Sequence, residues 1–181
     1  DSVRFDLPIG TGGIALCDSS VLVSQVKEWS AGKNISGQHR PWATAYWVPE
    51  ALCGDIATAE ILYDPDGTSA RLKEFVATYP VPLSKAITDL CVDELRQKMD
   101  TSERLLDGDG LVELELCISD MVAALVRLAF ARSRVYFRGF RSFERQARLL
   151  KPADLALYHL AAKLSGRKKV KNLLKNIREI L

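Results

Sequence analysis

The chain has 181 residues, 48% of them hydrophobic and 27% charged, a globular composition that excludes wholesale disorder. No apolar run approaches the roughly 18 residues of a membrane span, and the opening Asp1-Ser2-Val3-Arg4-Phe5 does not read as a signal peptide, so a soluble, cytoplasmic protein is expected. The net charge of +2 hides a polarity: residues 1–109 carry 10 Lys/Arg against 17 Asp/Glu, whereas residues 110–181 carry 15 against 6, which makes the chain an electrostatic dipole with a basic C-terminal pole.

In chain order, Val3 to Leu7 reads as a short strand or an extended arm, broken by Gly10, Gly12 and Gly13. Asp18-Ser19-Ser20 offers an N-cap for a short helix bearing Val23, Val26 and Trp29 that ends near Gly32. A polar loop leads to Trp42, Tyr46 and Trp47, aromatic residues that read as core anchors or as a docking platform. Glu50 to Tyr63 follows as a helix despite Gly54, closed by the turn Asp64-Pro65-Asp66-Gly67, and a helix from Thr68 to Tyr79 ends at Pro80 and Pro82.

The helical signal then strengthens. Ser84 caps a helix whose Ile87, Leu90, Cys91, Leu95 and Met99 recur at the three-to-four spacing of a buried stripe, up to Asp107-Gly108-Asp109-Gly110. A long helix is predicted from Leu111 to Leu150, stopped by Pro152, then one from Ala153 to Leu164, then a last one from Ser165 to Leu181 with Val170, Leu173, Leu174 and Ile177 on one face. The fold class expected is mainly α: a single helical domain over residues 41–181, its basic third spanning residues 127–178, preceded by a less regular segment, residues 1–40, that is an arm or holds a short strand.

Within the predicted long helix, Arg127, Arg134, Arg138, Arg141, Arg145 and Arg148 are spaced 7, 4, 3, 4 and 3 residues apart, which at about 100° per residue places them within roughly 80° of arc. Arginine forks match phosphates bidentately, and six like charges on one face repel one another unless an anion compensates. Phe130 and Phe137 flank that face as rings that would stack on unpaired bases. Lys168, Lys171, Lys175 and Arg178 repeat the pattern on the last helix. Lys168 to Lys171 also fits a minimal nuclear-import cluster, so a nuclear location is the alternative.

Other motifs are weak. Gly10-Thr11-Gly12-Gly13 has no phosphate-loop surroundings, and Asp107-Gly108-Asp109-Gly110 with Glu113 has no complete calcium-loop spacing. His39 and His159 stand apart from any metal or triad pattern, and Cys17, Cys53, Cys91 and Cys117 form no CxxC pair, which suits small core residues in a reducing compartment. No catalytic constellation, cofactor or metal is therefore expected. The functional expectation is a non-sequence-specific nucleic-acid-binding protein, RNA favoured over DNA, homo-oligomeric and of the packaging kind seen in nucleoproteins and viral coats. The alternative is a scaffold or regulatory subunit whose basic helical face binds an acidic protein surface.

Overall fold

The computed structural model describes residues 2–7, 10–15, 19–35, 48–106, 110–138, 143–162, 175 and 177–179. The fold is mainly α. Two strands, β1 (Ser2–Leu7) and β2 (Gly10–Ala15), pair antiparallel with Ser2 opposite Ala15 and Leu7 opposite Gly10. Among the described residues the helices that follow are α1 (Ser19–Ser30), α2 (Pro49–Thr58), α3 (Thr68–Val76), α4 (Val81–Leu106), α5 (Leu111–Ser133), α6 (Phe143–Ala147) and α7 (Pro152–Ala162). The glycines at 10, 12 and 13 lie inside β2 instead of breaking a single strand. Among the described residues, no helix is long and apolar enough to cross a membrane.

The core is the antiparallel pair α4 and α5. Leu83, Ile87, Cys91, Leu95 and Met99 recur at every fourth position of α4 and are all buried, the stripe a 3.6-residue period requires. From Ala123 to Ala131, α5 is buried all round its circumference, because α4 covers one side and α7 another. The Ser84 hydroxyl, expected as a cap, instead donates to Ala131 O at 2.7 Å and ties the start of α4 to the end of α5. The helix starts three residues earlier, at Val81, with Pro82 in its first turn, where a missing N–H costs nothing. Val26 of α1 and Ile35 after it join the same core, so residues 19–35 belong to the helical body.

Two boundaries move for identifiable reasons. The helix expected over Glu50–Tyr63 ends at Thr58, with Ala59 extended, and Ile61 to Tyr63 run on as a non-helical loop. That loop is closed by Asp64, whose carboxylate accepts the Ser69 and Ala70 amides at 3.0 and 2.8 Å and so satisfies two orphan donors of α3. Gly67 takes φ +69° at this turn, a conformation open to a residue without Cβ.

The larger correction concerns the predicted helix Leu111–Leu150. It stops at Ser133: Arg134 turns left-handed (φ 56°, ψ 43°), its N–H donates to Ala131 O, and the Val135 N–H donates to Phe130 O at 3.0 Å. These bonds close the helix as a left-handed cap does. The cause lies in the next residues. Tyr136 and Phe137 are adjacent, yet Tyr136 packs on Tyr79 (ring centroids 4.5 Å) and donates its hydroxyl to Val76 O, while Phe137 packs on Phe130 (5.4 Å). Extended backbone sends neighbours to opposite sides, whereas a helix would place them only about 100° apart.

Candidate anion-binding corner

The end of α5, the segment 134–138, α6 and the start of α7 meet at one corner, fixed by short polar bonds. Asp154, buried in the first turn of α7, accepts the Ser133 hydroxyl at 2.9 Å and pairs with Arg132 at 3.1 Å. A carboxylate at that position also meets the positive end of its helix. The Ser133 oxygen in turn accepts the Lys151 amide at 3.0 Å, and Gln146 of α6 accepts the Arg138 amide at 2.9 Å. Arg134, Arg145, Arg148 and Lys151 are exposed around this scaffold. Among the described residues none of the four pairs with a carboxylate; Lys151 Nζ reaches only Arg132 O, at 3.5 Å.

The other predicted site residues fall elsewhere. Arg127 is buried: its Nε donates to Glu50 Oε1 at 2.6 Å, and both side chains are more than nine-tenths removed from solvent. Burial acts most strongly and lowers the Arg127 pKa, but the Glu50 charge and hydrogen bond, with Cys91 and Glu94, together outweigh it and hold the guanidinium ionised. Glu50 Oε2 has no partner among the described residues, so the pair is bound through one oxygen only. Arg138 donates to Asp55 of α2 at 2.9 Å on the surface, and Arg178 pairs with Glu103 of α4. Lys175 is exposed on a short helical stretch. Arg141, Lys168 and Lys171 lie outside the described residues, as do His39, Trp42, Tyr46 and Trp47 and the loop Asp107-Gly108-Asp109.

Phe130 and Phe137, expected as exposed stacking rings, are each 1% exposed and pack on each other. The expectation fails because both flank the arginine stripe only on a continuous helix, and the helix ends between them. Two corner residues escaped the sequence reading: Arg132 and Lys151. Lys151 directly precedes Pro152, and a basic residue against a helix-starting proline was the available signal.

No family model, curated protein or solved structure matches the chain. The corner carries four exposed positive side chains on backbone segments braced to one another, and such side chains suit oxyanions with several acceptors. The buried thiols offer no competing chemistry. Burial pushes Cys53 and Cys91 up to about 12, and a thiol held protonated is a poor nucleophile. Cys117 is also buried. Among the described residues no cluster of His, Cys, Asp and Glu is arranged to hold a metal ion.

Proposed function

We propose that this protein binds the phosphate backbone of nucleic acid, RNA in the first instance, through the corner formed by Arg134, Arg145, Arg148 and Lys151. The observation that carries the reading is the exposure of these four cations without carboxylate partners among the described residues, on a backbone held in place by Ser133, Asp154 and Gln146. With Phe130 and Phe137 buried, these cations contact phosphate without aromatic stacking, and such contacts position a strand without reading its sequence. The footprint is smaller than a ten-residue strip. About four phosphate contacts on a single strand give a salt slope near −3, so affinity falls on the order of 50-fold between about 50 and 200 mM salt.

A second reading, an acidic protein surface as partner, draws support from Arg127, Arg132, Arg138 and Arg178, which already hold carboxylates within this molecule. A salt titration with a random 30-mer RNA and with polyglutamate separates the two. RNA should bind more tightly at every salt concentration, and replacing Arg145 and Arg148 together by Ala should lower the RNA slope by about 1.4. Equal binding of polyglutamate, or an unchanged slope in the double variant, would refute the nucleic-acid reading.

A further inference from the structure

Arg138 is held at three points. Its amide donates to Gln146 Oε1 at 2.9 Å, which sets its backbone against α6, the helix that carries Arg145. Its stem crosses α2 at Gly54, where a Cβ would come within 3.0 Å of Arg138 Cγ. Its Nε donates to Asp55 Oδ1 at 2.9 Å. Asp55 has a fixed base, because the buried bond from Arg127 to Glu50 ties the first turn of α2 to α5.

This arrangement uses only one edge of the guanidinium. Among the described residues Nη1 and Nη2 donate to nothing, and the side chain is 44% exposed, so four N–H groups are open to an acceptor from solution. Arg134, Arg145 and Arg148 have no carboxylate of this kind among the described residues. Their side chains must be ordered by whatever they bind, whereas a guanidinium oriented in advance spares a ligand that entropy.

We propose that Arg138 is a fifth phosphate contact of the corner and that Asp55 is its positioning residue, holding Nε so that the Nη edge is presented to an incoming phosphate. The proposal rests on the reading that the corner binds a phosphate backbone. Simple charge predicts the opposite role, since a carboxylate repels a polyanion. The carboxylate and a phosphate on the Nη edge stand on opposite sides of the guanidinium in solvent. Their separation approaches the Debye length of about 8 Å at physiological salt, so much of the repulsion is screened. The ordering of Arg138 is not screened, and it decides the sign.

Affinity is measured on the full chain near 150 mM salt, with a random 30-mer RNA and separately with inorganic polyphosphate, which offers phosphates without bases. Asparagine keeps an oxygen for Nε and drops the charge, whereas alanine drops both. Asp55→Asn should bind at least as tightly as the parent, and Asp55→Ala about threefold more weakly. Arg138→Gln should lower the RNA salt slope by about 0.7. Arg138→Lys should keep the slope and bind about threefold more weakly, since an ammonium retains the charge without the fork. These side chains lie at the surface, and unchanged thermal melts would show that the variants fold. Alanine binding as tightly as asparagine at position 55 would make Asp55 a matter of charge alone and overturn the proposal, as would an unchanged slope in Arg138→Gln. If the order holds with polyphosphate while RNA binds no better than polyglutamate, the nucleic-acid reading falls and this one stands. A parent that binds neither polymer overturns both.

Discussion

Arg127 and Arg134 are one heptad apart and would share a face of an unbroken helix, yet one is buried against Glu50 and the other stands in solvent. The difference comes from where α5 stops. From Ala123 to Ala131 the helix is surrounded, so the charge at Arg127 must bring its own counter-ion; at Ser133 the backbone turns, Phe137 stays in the core, Arg138 pairs with Asp55 on the surface and Arg134 stands exposed. Charge spacing alone does not say which situation holds, because the location of the helix end decides it.

The sharpest way to break this contrast is to truncate both arginines. Arg127→Ala leaves the Glu50 carboxylate buried without its cation and should cost about 3–5 kcal/mol in urea denaturation, whereas Arg134→Ala should stay within about 0.5 kcal/mol. Glu50→Leu combined with Arg127→Met removes both charges and should recover most of the loss, since a buried pair is costly to break but not to replace. If Arg127→Ala were as mild as Arg134→Ala, the buried pair would not be a structural clamp.

A smaller effect is expected at the seam between the two regions. Gly54 faces the segment that follows α5: a Cβ there would lie 2.6 Å from Tyr136 Cβ and 3.0 Å from Arg138 Cγ. Alanine ordinarily favours a helix interior by about 1 kcal/mol over glycine. Here the clash with a backbone-anchored Cβ should outweigh that gain, leaving Gly54→Ala destabilised by about 1–3 kcal/mol. A rise in melting temperature instead would mean that segment 135–138 does not pack on α2 as described.

This close approach also explains what the sequence hid. The stripe of α4 was legible because it follows a single helical period, the start of α5 was legible at Leu111, and α1 was legible from Ser19, Val26 and the glycine at its end. The stop at Ser133 was not, because no Gly or Pro marks it: an arginine takes the left-handed position, and the residues beyond it keep a helix-like spacing by coincidence. The same coincidence put Phe130 and Phe137 on a surface they do not occupy. Of the candidate site, Arg134, Arg145 and Arg148 were found from spacing, while Arg127 was misplaced because its partner Glu50 lies 77 residues away, beyond any local pattern.

The smallest predicted effect tests how far the buried cation's field reaches. Glu94 of α4 has its pKa raised, first by burial and then, against the pull of the Arg127 charge, by Asp120. A carboxyl with a raised folded value holds a proton that the unfolded chain has released. Between the ordinary carboxylate range and that raised value the folded state therefore binds more protons, and stability falls as pH rises through the window. Glutamine mimics the protonated form, so Glu94→Gln should melt higher than the parent above the window. The gap should close as pH falls through it and vanish near pH 4, where both forms are largely neutral. Thermal melts across this range read the gap directly. Because the Arg127 charge offsets part of the penalty, the gap should widen in the Glu50→Leu, Arg127→Met background; a gap that narrows there would mean the field of the Glu50–Arg127 pair reaches Glu94 as net negative.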